Sequence, residues 1–347
     1  MGAVSQAVVP SPYPLPQREG RSRAADILEG SFRSGLEPLH GRSIASSAPL
    51  ESISVSAAIR ISAEELSLDR TLAPGQSFRW KQDSRGMWIG VVGRKVVRVR
   101  REGEEIRHEA FSGAPDEALI RDYFRLEVRL RRLHRDFVHA DPRIGAIVER
   151  LKGLRVLRQD PEENLLSYIC TTAKSVPQIT AGIEALCREY GEHIATVDGR
   201  EYHSFPTAQA LAEADVEDMS ALCRLGFRCA NLRSVAGELM DRPSGWLNSL
   251  REASYEEARA ELLRIPHVGM KIADCVLLFS LDKDQAFPVD THIRRVAAEH
   301  YLPELRGKTL TTAVYRRIAE YFQSKFGPYA GWAQNYLYYD DLLSEKA

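Results

Sequence analysis

Residues 261–297 read ELLRIPHVGMKIADCVLLFSLDKDQAFPVDTHIRRVA. A helical run leads into Pro266, a tight turn uses Gly269, and a second, strongly apolar helix begins near Met270. Two helices so joined form a helix–hairpin–helix, expected here over about residues 257–280. The second helix presents unpaired backbone N–H groups at its N-terminus. With the helix dipole, these make a site for a phosphate that needs no net basic charge. An ordinary αα-turn carries the same proline and glycine, so the hairpin alone leaves the function open.

The second half of the stretch narrows the choice. Lys271 falls in the first turn of the second helix, where the dipole slightly disfavours its charge. A surface lysine is the plain explanation; a partly desolvated amine can instead attack an electrophilic carbon. Nineteen residues on, Asp290 stands in PVDTH, directly before the helical run THIRRVAAEHY, where an N-cap is expected. Capping and catalysis are compatible, because the cap bond fixes the carboxylate in space. A carboxylate to stabilise an oxocarbenium-like transition state and an amine to capture the sugar carbon together suit glycosidic cleavage.

Working outward, residues 1–57 are rich in Ser, Pro, Gly and Arg without a sustained period, and read as a disordered leader or an over-extended start. From about 60 to 112 the pattern is β. MWIGVV and KVVRVRR alternate apolar and charged residues around GRK, and IRHEAF follows the turn REGEE. Beyond about 115 almost everything reads as helix. QITAGIEALCREYG ends at a C-cap glycine, Gly191, and SYEEARAELLRI opens with a capping box from Ser254 to Glu257. The expected architecture is α+β: a leader (1–57), a β-containing domain with a linking helix (58–150), and a helical domain holding the hairpin (151–347).

Composition adds limits. The 347 residues are 44% hydrophobic and 27% charged, which suits an ordinary folded protein, and no apolar run reaches the ~18 residues of a membrane helix. Five cysteines (Cys170, Cys187, Cys223, Cys229 and Cys275) form no CxxC pair and three lie in apolar stretches, so buried free thiols are expected, with neither a metal nor an iron–sulfur site. A net charge of −1 offers no whole-protein attraction to nucleic acid, so positive charge must be concentrated locally. Six arginines lie between Arg121 and Arg135, and Arg224, Arg228 and Arg233 face no acidic neighbour; each group also suits a solvated helix face.

Several motifs share a pattern. PGQSFRW (74–80), RQDPEENLLSYIC (158–170), LGFRCANL (225–232), the hairpin through VDTH (266–292) and GPYAGWAQNYLYYDDL (327–342) together resemble the 8-oxoguanine DNA glycosylase family of the helix–hairpin–helix superfamily, from about residue 60 to 345. The resemblance implies a bifunctional glycosylase/lyase that bends the duplex and flips the damaged nucleotide into a pocket. Lys271 would displace the base, form a Schiff base and open the strand by β-elimination, with Asp290 as its carboxylate. The carbonyl of Gly75 would accept the N7 hydrogen that 8-oxoguanine has and guanine lacks. Gln334 would read the Watson–Crick edge, and Tyr338 and Cys275 would sandwich the base. His292 would lie near the 5′ phosphate, with His267 and Gly269 at the hairpin phosphate. Phe227 would wedge into the stack, and Arg228 would bond the orphaned cytosine. Taken residue by residue without the resemblance, Phe227 and Tyr338 suit core aromatics, Gln334 a surface polar group and Gly75 a turn.

Three positions depart from the family. Ala173 replaces an asparagine that fills the gap and helps read the opposite cytosine, which leaves Lys174 as a candidate phosphate contact. His267 stands for the hairpin's first glycine and, having a Cβ, resists a positive φ. Tyr338 replaces phenylalanine and adds a hydroxyl near the base. The implied partner is double-stranded DNA containing oxidised guanine, bound by a monomer inside the cell with its DNA, without membrane, metal or cofactor. A monofunctional alkylpurine glycosylase would keep the carboxylate but need no hairpin lysine. A non-catalytic damage-binding module would tolerate loss of Lys271 or Asp290, and both are present.

Overall fold

The computed structural model describes residues 56–171 and 174–345. Most of the expected leader therefore lies outside the described residues, as does Ala173. Its last two residues do not belong to a leader. Ser56 and Ala57 begin strand β1 (Ser56–Arg60), which pairs antiparallel with β5 (Glu105–Ala110) from Ser56↔Glu109 to Arg60↔Glu105. Between them in sequence run β2 (Trp80–Gln82), β3 (Trp88–Val92) and β4 (Lys95–Glu102), and the sheet order is β1-β5-β4-β3-β2, antiparallel throughout.

Period-two alternation sorts this sheet into two faces, and both are covered. Val97 and Val99 of β4 join Ile59, Trp80 and Ile106 in a core against Tyr123, Phe124 and Leu157. The other face carries Ile89, Val91 and Val96 under a second hairpin, β6 (His193–Val197) and β7 (Arg200–His203). Arg98 on this face is buried, 3.0 Å from Asp83 and paired with Asp198 in the hairpin turn. That hairpin lies in a stretch read as helical. Its signal was Asp198-Gly199, both at positive φ (49° and 76°), the dihedrals of a tight two-residue β-turn.

The rest is helical, packed around a single large apolar cluster from Leu130 to Leu337. The helix Val176–Tyr190 ends at Gly191, but not in the left-handed turn expected of a C-cap glycine: φ is −93° and ψ 163°. Glycine is required there for closeness, since a Cβ would stand 2.0 Å from the Ser204 carbonyl oxygen. The arginine run is a solvated face at Arg121, Arg129, Arg131, Arg132 and Arg135, which are exposed, and departs from it at one position. Arg125 is buried, its guanidinium bidentate on Asp284 (2.6 and 3.0 Å) and 5.1 Å from the Trp332 ring. No helix among the described residues is long and apolar enough to cross a membrane.

Candidate active site

The helix–hairpin–helix consists of Tyr255–Leu262 and Met270–Ser280, the latter hereafter the lysine helix. Its first member opens with the Ser254–Glu257 capping box. Ile265 and Val268 are buried and anchor the turn, while His267 and Gly269 are exposed. Contrary to the resistance expected of its Cβ, His267 adopts φ 64°, so the hairpin keeps its path at a strain of about 1–2 kcal/mol. Gly269 is extended (φ −88°, ψ 177°), so dihedral freedom is not its role. A Cβ at Gly269 would meet nothing within 4 Å, and no side chain caps the helix start, so its first N–H groups stand open to an approaching anion.

Behind the hairpin lies a cavity of ≈ 920 Å³, in the range of small-molecule sites. Nine of the residues singled out from the sequence line it: Gly75, Lys174, Gly269, Lys271, Cys275, Asp290, His292, Gln334 and Tyr338. They come from five separate segments. Phe227, Arg228 and His267 lie outside it.

Lys271 projects its Nζ over the face of Tyr168, 5.0 Å from the ring centroid. Tyr168 is fixed by stacking on Phe279 (6.0 Å, 5° between planes) and by an edge contact with Phe78. Asp290 is the N-cap of the helix Thr291–His300, and its carboxylate accepts the Ile293 N–H at 2.9 Å. Cys275 is buried, and burial pushes its thiol up to about 12, so it stands in the wall as a neutral thiol.

The remaining wall is polar at chosen points. Gln334 is buried, not a surface group; its Nε2 donates to the Pro288 carbonyl at 3.1 Å. A carbonyl can only accept, so this bond fixes the amide's orientation and leaves the buried Oε1 without a partner among the described residues. Gly75 is at φ +85°, where a Cβ would press to 2.8 Å from Val176. The added hydroxyl of Tyr338 points at the Pro74 carbonyl (3.5 Å), tying the last helix (Ala330–Ser344) to the Gly75 wall. His292 meets the Tyr338 ring edge-on at 5.4 Å, and its Nδ1 lies 2.8 Å from Asp341 Oδ2. That carboxylate selects the tautomer protonated on Nδ1 and leaves Nε2 as the other edge of the ring.

The finger Arg224–Arg228 is built otherwise. Gly226 (φ 60°) and the C-cap Arg224 (φ 55°) turn the chain so that Phe227 is 62% exposed, which removes it from the core. Arg228 is buried, its guanidinium 4.4 Å from the Phe227 ring and donating to the Leu225 carbonyl at 3.1 Å. Lys174, a candidate phosphate contact by sequence, donates to the Arg224 carbonyl at 2.9 Å and thereby links finger and cavity rim.

Sequence reasoning missed Tyr168 and Asp341. Both stand inside quoted motifs, but Tyr168 was read only as an apolar helix position and Asp341 not at all. All five cysteines are free and buried.

Two family models cover most of the chain: the N-terminal domain of 8-oxoguanine DNA glycosylase matches residues 58–165, and the HhH-GPD superfamily of base-excision DNA repair proteins matches 166–323. The N-glycosylase/DNA lyase OGG1 of Arabidopsis thaliana is 36% identical over 296 residues, 83% of this chain and 80% of that one. The N-glycosylase/DNA lyase of Saccharomyces cerevisiae is 32% identical over 323 residues, 82% and 85% of the two chains. Among solved structures, the 8-oxoguanine glycosylase/lyase of Clostridium acetobutylicum, in complex with double-stranded DNA containing cytosine opposite 8-oxoguanine, superposes with a TM-score of 0.72 at 28% identity, covering 81% of this chain and 93% of that one.

Proposed function

Because the chain belongs to the 8-oxoguanine DNA glycosylase/lyase family, we propose that it excises 8-oxoguanine with Lys271 as nucleophile and Asp290 as the stabilising carboxylate. The protein is a DNA glycosylase with lyase activity, acting in base-excision repair on double-stranded DNA. One copy of the chain engages the duplex, at the cell's own DNA. Residues 56–150 carry the five-stranded sheet and linking helix, and 151–347 the helical domain. The observation that carries the site assignment is the shared cavity, which Lys271, Asp290 and Gln334 line together.

Chemically, the Lys271 amine forms a bond to C1′ as the bond from C1′ to the base breaks, and the base leaves with the electron pair. Asp290 faces the positive charge that grows on the sugar in between. The amine sheds its proton, the sugar ring opens, and a Schiff base joins Lys271 to the strand. Loss of a C2′ proton then expels the 3′ phosphate, which is the lyase step. Selection is made in the walls. Gln334 Oε1 accepts from the Watson–Crick edge, Tyr338 and Cys275 flank the ring, and the Gly75 carbonyl meets the N7 hydrogen. Guanine would set an acceptor against an acceptor there. Outside the cavity, Phe227 fills the vacated stack, Arg228 meets the cytosine, and the N–H groups after Gly269 hold a phosphate, aided by His267, Lys174 and His292.

Single-turnover assays on duplexes carrying one 8-oxoguanine, one guanine or one alkylated purine at the same position test this. We expect base release and strand cleavage on the first alone. Equal release of the alkylated purine without strand cleavage would contradict it.

A further inference from the structure

The two proposed reacting groups sit on different elements, so something must set their relation. Lys271 rides on the lysine helix, whereas Asp290 ends the irregular segment 282–290. That segment is pinned from outside by Gln323 Nε2 on the Gln285 carbonyl (2.9 Å), by Gln334 Nε2 on the Pro288 carbonyl (3.1 Å), and by the Val289 N–H on the Tyr315 hydroxyl (3.2 Å). The last two hold the two ends of one peptide, Pro288–Val289, which leads into Asp290.

Tyr315 comes from the helix Thr312–Phe326 and is buried. A hydroxyl carries one proton, and here it goes to the Asp274 carboxylate at 2.6 Å, while the oxygen's lone pair accepts the Val289 N–H. Asp274 is wholly buried in the lysine helix, three residues after Lys271 and next to Cys275. It also accepts from the Tyr255 hydroxyl (3.1 Å) and pairs with Arg259 (2.9 and 3.0 Å). A buried ion pair of this kind is a poor way to gain stability, and Arg259 and Tyr255 already satisfy the carboxylate. What Tyr315 adds is a link, through one oxygen atom, between the lysine helix and the peptide preceding Asp290.

We propose that Tyr315 is a positioning residue for base excision, setting Asp290 against Lys271 through its paired bonds to Val289 and Asp274. This rests on the assignment of those two groups as the reacting pair. Tyr255 provides the comparison, because its hydroxyl binds the same carboxylate and reaches the segment through Gln323 Nε2 (3.3 Å), at Gln285 rather than at Val289.

The test compares Tyr315→Phe with Tyr255→Phe in single-turnover excision of 8-oxoguanine, alongside duplex affinity and melting temperature. We expect the maximal rate of Tyr315→Phe to fall roughly ten- to a hundred-fold, as a misplacement of about an ångström would cause, with duplex affinity kept. Tyr255→Phe should lose comparable thermal stability yet stay within a few-fold of the wild-type rate. Equal rate losses in the two variants, or a wild-type rate in Tyr315→Phe, would overturn the proposal. If Tyr315→Phe does not fold, 4-aminophenylalanine and 4-methylphenylalanine at position 315 decide: the amino group can donate to Asp274 and keep a lone pair for the Val289 N–H, the methyl group can do neither, and equal excision rates at equal stability overturn the proposal. Lys271→Gln and Asp290→Asn in the same assay check the underlying site assignment separately, and excision at the wild-type rate by either would overturn that assignment and the proposal with it.

Discussion

The cavity and the finger meet at Lys174 and are made in opposite ways. The cavity draws buried and half-buried side chains from separate segments and fixes several by a second partner: Asp290 by Ile293, Gln334 by Pro288, His292 by Asp341, Tyr168 by Phe279. The finger is one short loop whose two left-handed residues, Arg224 and Gly226, push a bare phenylalanine outward, with a single arginine packed behind it. The difference separates chemistry from access. Rigid, distributed walls suit a reaction that needs fixed geometry. A compact protruding loop suits the invasion of a base stack, whose cost is set by the duplex rather than by the reacting atoms.

Substitutions in the two regions should accordingly differ in kind. In the cavity, Asp290→Asn should slow excision by a factor on the order of 10² or more, because a neutral amide does not stabilise positive charge developing on the sugar. Duplex affinity and stability should both hold, because asparagine caps a helix about as well as aspartate. Single-turnover rates within a few-fold of wild type would reduce Asp290 to a cap and erase the contrast.

In the finger, Phe227→Ala should cost roughly ten-fold in excision from intact duplex, with much less loss on a substrate whose lesion is already unpaired. Equal losses on both substrates would place Phe227 in the chemistry instead. A subtler effect attaches to Ala173, whose methyl neither donates nor accepts. Wild type should tolerate adenine opposite the lesion, and Ala173→Asn should sharpen the preference for cytosine about ten-fold, the worth of one directional contact. Excision opposite each of the four bases measures this, and a variant no stricter than wild type would show that another group reads the opposite base.

The smallest effect belongs to the hairpin that serves both regions. His267→Gly should relieve the left-handed strain and raise stability by up to about 1 kcal/mol, part of the relief being lost to glycine's greater unfolded freedom. Chemical denaturation reports the change, and a loss of stability would mean that the imidazole contributes contacts of its own.

Much of this was legible in the sequence, and the reasons are physical. The hairpin, its capping box and the Asp290 cap are local patterns written in adjacent residues, so they read directly. Strands β3 to β5 read from alternation, but alternation does not reveal what covers a face, and so nothing announced that Arg98 is buried under the second hairpin. Hairpin β6–β7 hid among helices because its signal was a two-residue turn, Asp198-Gly199. In the site, residues carried by motifs were found. Missed were groups defined by a partner far off in sequence: Tyr168 under Lys271, Asp341 on His292, and Tyr315 between Asp274 and Val289. Arg125 was misplaced for the same reason, since nothing near it announces Asp284.

The central claim is that one amine in a shared cavity attacks the sugar of the damaged nucleotide. Borohydride reduction during turnover on a duplex with a single 8-oxoguanine tests it, because the hydride fixes a Schiff base as a stable link between protein and strand. The account requires a covalent adduct in wild type, its DNA-bearing peptide mapping to Lys271, and no adduct in Lys271→Gln despite retained duplex binding. An adduct that persists in Lys271→Gln, or that maps to any other lysine, would contradict it.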